Sequence, residues 1–512
     1  DHPAKKMKMS IEDMQEWVKK MQKEKDEEIA QIKMELDSKI AEANAQLQKE
    51  RDRVATTTAP REMEKVISSS SSVNNAPPPI TNKQYFPSGQ AGFKSIRENE
   101  QFFIDKSRFI EPLFLSRAHV SIFRPPRFGK SLMLDMMRHF FDIEYSKGDK
   151  IKEWEKLFEG MDCLKSEAFV KEHARKYHVL SLDFSGIDTS KPDEIYKLFN
   201  RNVFQSIEKF QKTYNLEFEI DPMNCIDSLI ALGNHISKSK DNGLLILIDE
   251  YDNIISNLMA DSARTYKQTI QEMSDGKEDE TKRFPGAGTL RAFFEATKVI
   301  TKSNVRQIFT GVHPIALADI SGYNICKDVT FQYGDLFGFT KRDIATALDR
   351  IQEYLKREEW SDSEKEKALG AMTEYFNGSR FFGTSKEQPL YNPQLALTFL
   401  DNLLNDEKSL RTNILKNGRL SVDYMTDYNV TVGRSSLDMM QRAGQMIPTA
   451  VSLATIEQPL EARIVPEFKL DELLHPERNV AGDGRGNSVI DQSINTGHAW
   501  SLSYLYYNGA VT

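Results

Sequence analysis

The segment at residues 120–133 reads VSIFRPPRFGKSLM, and its layout decides the fold. The apolar run at 120–123 predicts a short strand, and the pattern at 130–141 predicts an amphipathic helix. A loop between a strand and a helix exposes the backbone N–H groups of the helix N-terminus, which attract anions. The last loop residues, Gly129, Lys130 and Ser131, match the end of the pattern G-x-x-x-x-G-K-[ST]. The segment therefore predicts a phosphate-binding loop.

Three residues of this loop have predicted roles toward a bound nucleotide. Gly129 lets the backbone approach phosphate, Lys130 reaches the β- and γ-phosphates, and Ser131 offers its hydroxyl to Mg2+. A lone Gly-Lys-Ser tripeptide is common by chance, so the prediction depends on its strand-to-helix setting. The residues that we expect to contact ATP are Arg124, Arg127, Phe128, Gly129, Lys130, Ser131 and Leu132.

The loop departs from the pattern at its start. Arg124 replaces the first glycine, and Pro125 and Pro126 have no backbone N–H to donate to phosphate. We expect the side-chain charges of Arg124 and Arg127 to compensate for the missing donors.

Residues 244–252, LLILIDEYD, supply the second part of the predicted site. Five apolar residues followed by acids are typical of a central parallel strand whose carboxyl end faces a ligand crevice. Asp249 would bind Mg2+, and Glu250 would act as general base on the attacking water. The stretch alone is equally compatible with a buried strand that ends in a solvated acidic turn, but together with the loop it favours a nucleotide site.

A third strand, at 305–310, ends in Thr310-Gly311. In folds of this type the residue here lies between the two motifs, so Thr310 is the predicted catalytic sensor of the γ-phosphate. The alternative is a hydroxyl that only caps the strand end. A positive charge for the transition state could come from Arg291, Lys298 or Arg306, among which the sequence does not choose.

Short apolar strands alternate with amphipathic helices across residues 86–340, which predicts an α/β domain with a mostly parallel sheet. The predicted strands are 120–123, 179–184, 244–248 and 305–310, and the predicted helices are 130–141, 192–214, 225–237 and 290–301. After 341 the pattern is helical, with residues 344, 348, 351, 354 and 355 on one face. We therefore predict a nucleotide-binding domain at 86–340 and a helical region at 341–512.

The chain before residue 86 differs in composition and in the spacing of its apolar residues. Residues 10–54 carry apolar residues in steps of three and four, which predicts a coiled coil and a homo-oligomer, although a single solvated helix is the alternative. Residues 1–9 and 55–85 are predicted to be disordered, the latter as a tether with serine and proline runs.

Composition narrows the class of protein. The net charge of −8 over 512 residues argues against a chain-wide basic surface for nucleic acid. No apolar run approaches the roughly 18 to 20 residues of a membrane span, so we expect no membrane partner. Three scattered cysteines and no spaced histidines predict no metal beyond Mg2+ and favour an intracellular location in cytoplasm or nucleus.

With these residues in view, residues 86–512 resemble the AAA-ATPase-like family of P-loop proteins. That resemblance implies a P-loop NTPase with a parallel sheet of the ASCE/AAA type, and an Arg-Pro pair in place of the first glycine. The family often precedes a PD-(D/E)XK nuclease-like domain, whose Asp and Glu-x-Lys residues we do not find after Gly509, so we expect that domain to be absent or truncated. The resemblance is carried by residues 103–107 (FIDKS), 124–131, 157–160 (LFEG), 248–252 (IDEYD), 310–315 (TGVHPI), 338–340 (GFT) and 391–393 (YNP).

The leading functional hypothesis is Mg2+-dependent ATP binding and slow hydrolysis that act as a conformational switch. One alternative is a scaffold that retains the P-loop fold without turnover and acts through the coiled coil. Another is an ATPase coupled to nucleic-acid processing, suggested by the family's link to nucleases and by the basic residues Lys165, Lys171, Arg175 and Lys176.

Overall fold

The computed structural model describes residues 80, 85–187, 194–238, 243–254, 285–300, 305–314, 326–355, 360–379, 381, 389–406, 410–411, 503 and 507. These residues belong to one compact unit, Asn75–Thr512. The predicted coiled coil at 10–54 and the predicted disordered segment at 1–9 lie outside the described residues. Of the segment 55–85, also predicted to be disordered, only residues 80 and 85 are described, and Tyr85 is buried. Within the described ranges, no helix is both long and apolar enough to cross a membrane.

A parallel five-stranded sheet lies at the centre of the unit, in the spatial order β2-β3-β4-β1-β5. Its central strands are almost entirely buried, as expected for a parallel sheet covered on both faces. The α/β class and the parallel sheet predicted from the sequence are therefore confirmed. The strands are β1 His119–Phe123, β2 Tyr177–Asp183, β3 Gly243–Asp249, β4 Val305–Gly311 and β5 Lys327–Asp328.

The position of β4 between β1 and β3 sets the geometry of the carboxyl edge of the sheet. Phe123 at the end of β1 pairs with Gly311 at the end of β4, and Ile248 of β3 pairs with Phe309 of β4. The loop after β1 and the acids after β3 therefore flank the end of β4, with Thr310 between them.

Eight helices of the described ranges accompany this sheet. Their bounds are α1 Phe93–Glu98, α2 Ile110–Ser116, α3 Lys130–Phe141, α4 Asp149–Phe158, α5 Glu167–His173, α6 Ile195–Tyr214, α7 Cys225–Ser237 and α8 Pro285–Ile300. Helix α7 begins where the Asn224 side chain accepts hydrogen bonds from Ile226 N and Asp227 N. The bounds predicted for α3 and α7 are confirmed, whereas the short helices α1, α2, α4 and α5 were not predicted.

A second apolar core lies beyond residue 341. It contains α9 Lys341–Leu355, α10 Asp362–Phe376, the antiparallel pair β6 Asn377–Ser379 and β7 Leu390–Tyr391, and α11 Pro393–Asn405. Ile344, Leu348 and Ile351 are buried in this core as their spacing predicts, but Tyr354 is exposed. Tyr354 was expected on the apolar face, and its hydroxyl is better solvated at the surface.

The same core takes in residues from the start of the domain. Tyr85, Phe86 and Phe102 pack with the residues of α9 and α11, and their rings lie 5.0 to 5.9 Å apart. The sequence assigned residue 86 onward to the sheet domain, because nothing local indicates a partner some 250 residues away. In the structure these aromatic residues join the beginning of the described unit to the helices after 341.

Asp142, which follows the last residue of α3, provides a test of the contact between α3 and α6. Its Oδ1 accepts hydrogen bonds from Glu144 N and from Tyr214 Oη, both at 2.9 Å, while burial raises the pKa of Asp142 to about 6. The folded protein thus binds this proton more tightly than the unfolded chain, so stability falls as pH rises from about 4 to about 6. Because the amide oxygen introduced by Asp142→Asn can accept both hydrogen bonds without a charge, we expect a gain of about 2 kcal/mol at pH 7.5 and little at pH 4. Equal denaturation midpoints for the variant and the natural protein at both pH values would contradict this expectation.

Candidate active site

The loop between β1 and α3 places a helix N-terminus at the edge of the sheet. Arg127 and Gly129 both have left-handed backbone conformations, with φ of 66° and 93°. A side chain at Gly129 would meet no atom within 4 Å, so the backbone angle and not crowding favours glycine here. The first turn of α3 presents N–H groups that have no partner inside the helix, which suits an anion.

Lys130 lies buried beneath this loop. Its Nζ is 3.2 Å from the Arg124 carbonyl oxygen, 3.3 Å from the Pro125 carbonyl oxygen and 3.6 Å from Glu250 Oε1. The contact joins the loop to the acidic end of β3, so the structure brings together two residues that lie 120 positions apart in the sequence.

Arg124 differs from the sequence expectation. Its side chain is fully buried and donates hydrogen bonds to the carbonyl oxygens of Phe123, Thr330 and Tyr333 at 2.7 to 2.8 Å, and its guanidinium lies 4.2 Å from the centre of the Phe381 ring. We expected this charge to face phosphate, but a buried guanidinium must satisfy its donors, and the chain near residue 330 supplies acceptors. The Arg124 side chain therefore fixes the loop from beneath.

The remaining loop residues line a cavity of about 450 Å3. Arg127 is exposed at its rim, whereas Phe128 is buried with its ring 5.4 Å from that of Phe381. The cavity is also lined by Leu132 and Gly129, by residues 89–91 and 336–339, and by Pro393, Gln394 and Leu397 of α11. Such a volume with a mostly apolar wall and a few polar groups suits a small organic ligand.

Ser131 also belongs to a second cavity, of about 610 Å3, which extends toward the ends of β2 and β3. Its wall includes Asp249, Asp183, and Asp135 and Arg138 on one face of α3. Ser131 thus lies where the two cavities approach each other, beside the acids at the end of β3.

Asp249 and Thr310 meet at the carboxyl edge of the sheet. The Thr310 hydroxyl donates to Asp249 Oδ1 at 2.6 Å, and the Glu250 N–H donates to the same oxygen at 3.0 Å. Thr310 is fully buried, so its hydroxyl is held beside the carboxylate and not in solvent. The predicted position of Thr310 between the two motifs is the position that the strand order gives it.

Glu250 follows with a left-handed backbone, at φ of 52°. Burial is the largest effect that raises the pKa of Glu250 above its ordinary value; Lys130 opposes it, and Asp252 and Asp249 add to it. A raised carboxylate pKa brings the group closer to the pH at which a general base works best.

Three residues to which the sequence prediction gave no role follow the ends of β3 and β4: Asp252, Val312 and His313. Asp252 is buried and accepts hydrogen bonds from Val312 N, His313 N and His313 Nδ1. Burial disfavours the Asp252 charge, but the hydrogen bonds from His313 and Val312 outweigh it and keep the pKa of Asp252 below its usual range. The third acid of the Asp-Glu-Tyr-Asp stretch, Asp252, is the sequence signal that points to this contact.

The three residues that were candidates to supply a positive side-chain charge lie in different parts of the structure. Arg306 is the second residue of β4, four residues before Thr310 and therefore about 13 Å away along the strand. Its guanidinium donates to the Phe114 carbonyl oxygen at 2.7 Å, which excludes it from the carboxyl edge. Lys298 lies in the last turn of α8, and the side chain of Arg291 is outside the described part of the chain.

Within the described residues, no group of three or more His, Cys, Asp or Glu side chains is arranged to hold a metal ion. A cation near Asp249 would therefore need ligands from a hydroxyl or from a bound phosphate in addition to this carboxylate.

The two arginines of the loop give a direct test of this arrangement. We expect Arg124→Lys to lower the free energy of unfolding by about 2 kcal/mol, because one ammonium group cannot donate to three separated carbonyl oxygens. Arg127→Gln, at an exposed position, should change stability by less than about 0.5 kcal/mol and weaken binding of MgATP. Thermal melting without nucleotide and titration with MgATP measure the two effects. A stable Arg124→Lys variant with weakened nucleotide binding would reverse our assignment.

Residues 87–321 match the model of the AAA-ATPase-like family, described as a predicted AAA-ATPase. The matched range contains the loop after β1, the acidic end of β3 and Thr310 at the end of β4. It ends before the Gly-Phe-Thr and Tyr-Asn-Pro motifs at 338–340 and 391–393, where the resemblance stays a prediction. A search of curated proteins gave no significant match. Over residues 87–321 the chain is therefore similar to the AAA-ATPase-like family.

Proposed function

We propose that this protein binds ATP with Mg2+ and hydrolyses it slowly, and that nucleotide state controls the helices that follow the sheet. The observation that carries the proposal is the convergence of Lys130, Ser131, Asp249, Glu250 and Thr310 at one edge of the sheet. The match of residues 87–321 to the AAA-ATPase-like family model supports nucleotide binding at a coarse level. The roles of the individual residues are our own assignment.

Phosphate binding would use the N-terminus of α3 together with Lys130. The helix contributes roughly half a positive charge and outward N–H groups, which offset the donors lost at Pro125 and Pro126. The Lys130 ammonium contacts two carbonyl oxygens and, at 3.6 Å, Glu250. Phosphate oxygens would be stronger partners than neutral carbonyls, because hydrogen bonds between charged groups are about twice as strong.

A divalent cation would be held by Ser131 and Asp249, which line the same cavity. Mg2+ accepts one or two protein oxygens and completes its shell with phosphate and water, so this sparse donor set fits it. The ion would neutralise charge that develops on the phosphates. Thr310 donates to Asp249 Oδ1 and so orients the carboxylate.

Hydrolysis would depend on Glu250. In the proposed step, a water oxygen bonds to the γ-phosphorus, the bond from that phosphorus to the β-phosphate oxygen breaks, and the water proton passes to Glu250. Burial, which raises the pKa of Glu250, makes this carboxylate a better proton acceptor than a surface glutamate. Thr310, buried beside it, would position the terminal phosphate or the water.

The 450 Å3 cavity would hold the rest of the nucleotide, and its wall explains how the nucleotide could act on the helices. Asn392 Nδ2 donates to the Pro126 carbonyl oxygen at 3.3 Å, while Asn392 Oδ1 accepts from Gln394 N and caps α11. Gly89 N donates to Gln394 Oε1 at 3.0 Å. A ligand in this cavity therefore contacts the loop, the start of the domain and α11 together, as a switch requires.

A scaffold without turnover remains the competing proposal, and the specific observation behind it is the loss of two N–H donors at Pro125 and Pro126. A homo-oligomer through residues 10–54 is also still a prediction.

We do not extend the proposal to nucleic acid. Two of the basic residues that suggested it have partners within the protein: Lys165 pairs with Asp162 at 2.6 Å, and the Arg175 guanidinium lies 4.7 Å from the centre of the Trp154 ring.

Two substitutions separate binding from turnover. Lys130→Ala should abolish MgATP binding in isothermal titration, because it removes the buried ammonium group that lies beneath the phosphate site. Glu250→Gln should bind MgATP with an affinity similar to that of the natural protein and lower its turnover about 100-fold or more, because the amide cannot accept the proton. Unchanged nucleotide affinity in Lys130→Ala would show that the site is elsewhere.

Stability measurements distinguish the switch from the scaffold without an enzyme assay. MgATP at about 100 times its dissociation constant should add about 2.7 kcal/mol to the free energy of unfolding, and this gain should disappear in Lys130→Ala. No change in melting at millimolar MgATP, MgADP or MgGTP would favour the scaffold.

A further inference from the structure

The ends of β3 and β4 stay connected beyond the last residue pair of their sheet, Ile248 with Phe309. The Tyr251 N–H donates to the Thr310 carbonyl oxygen at 3.1 Å, and the Tyr251 hydroxyl donates to the His313 carbonyl oxygen at 2.7 Å. Together with the bond from Thr310 to Asp249, these contacts bind each side of Glu250 to the neighbouring strand end.

Asp252 anchors the far end of this connection. Its Oδ1 accepts from Val312 N at 3.1 Å, and its Oδ2 accepts from His313 N at 2.8 Å and lies 3.1 Å from His313 Nδ1. Asp252 and His313 are only 1% and 2% exposed. A carboxylate so deeply buried is tolerated because several donors converge on it, and such a satisfied network is rigid.

Gly311 shows how closely the two strand ends approach. A Cβ at this position would lie 2.3 Å from Asp252 Oδ1 and 2.6 Å from the Tyr251 ring, so any side chain would force the strand ends apart. The Gly311 carbonyl oxygen also accepts a hydrogen bond from Arg124 N at 3.1 Å. The connection therefore reaches the start of the phosphate-binding loop.

We infer that Asp252 and His313 are positioning residues for hydrolysis: they hold the chain on both sides of Glu250 and Thr310 at the spacing that turnover requires, and they do not contribute to nucleotide binding. This inference rests on the proposed function, because it assigns a task to residues behind the same site. Neither side chain lines the cavities that Lys130 and Ser131 line, which is why binding should be insensitive to them.

The test uses two substitutions at His313. His313→Phe keeps a ring of similar size and removes the donor to Asp252, whereas the amide nitrogen in His313→Asn can occupy the place of Nδ1 and restore that donor. We expect kcat of His313→Phe to fall about 10- to 100-fold with the MgATP dissociation constant within about 3-fold of the natural protein, since small displacements of reacting groups cost this much. His313→Asn should recover most of the lost kcat.

His119 offers a matched control. It is 4% exposed and its Nδ1 lies 3.3 Å from Gln307 Oε1, so it is also a buried, hydrogen-bonded histidine, but at the opposite end of β1 and β4 from the site. His119→Phe should lower the melting temperature without changing kcat. If His313→Phe does not fold, Tyr251→Phe removes the hydroxyl donor to the His313 carbonyl oxygen and tests the same connection with a smaller change, for which we expect a lowered kcat and unchanged affinity.

The outcomes separate this inference from the proposed function. An unchanged kcat in His313→Phe, or an equal loss of kcat in His119→Phe, would overturn the positioning role. The nucleotide site would still be supported in that case if Lys130→Ala lost MgATP binding. A parallel loss of affinity and kcat in His313→Phe would also overturn it, because the residue would then act on binding. Nucleotide binding by the natural protein without any turnover would overturn the hydrolysis itself, and the positioning role with it.

Discussion

The insertion of β4 between β1 and β3 is the constraint on which the rest of the site depends. Because the three strands are parallel, their carboxyl ends meet at one edge, and each contributes one kind of group: a helix N-terminus with a lysine, two acids, and a buried hydroxyl. With β1 and β3 adjacent, Thr310 would have no place between them. The order of the parallel strands thus brings side chains from three separate segments of the sequence into one site.

The loop after β1 shows how a departure from the usual pattern can be accommodated. Arg124 stands where a glycine is usual, and its charge is turned inward onto the carbonyl oxygens of Thr330 and Tyr333 and onto the Phe381 ring. Two prolines follow, and each restricts the backbone as well as removing a donor. The loop is therefore held from beneath by the Arg124 side chain and stiffened by the two prolines. The N-terminus of α3 and Lys130 remain as the groups that we propose bind phosphate.

Anchoring of this kind connects the loop to distant parts of the chain. Phe381 lies after α10, and Asn392, which contacts the Pro126 carbonyl oxygen, caps α11. The aromatic residues at 85, 86 and 102 pack in the same core as α9 and α11. The loop therefore contacts two apolar cores, the core of the sheet and the core of the later helices. A change in the conformation of the loop would displace side chains in both cores.

The sequence by itself determined the class of the fold, the bounds of α3 and α7, the order of β1 to β4 along the chain, and five of the residues that the structure brings to the carboxyl edge, namely Lys130, Ser131, Asp249, Glu250 and Thr310. These follow from local information, because apolar period, capping residues and glycine at a left-handed position fix backbone conformation within a few residues. Tertiary structure alone decided that Arg124 points inward, that Asp252 meets His313 across 61 positions, and that the aromatic residues near 85 belong with helices beyond 341. Such contacts depend on strand order and on which apolar faces pack together, and no local pattern encodes a partner that only the folded chain brings near.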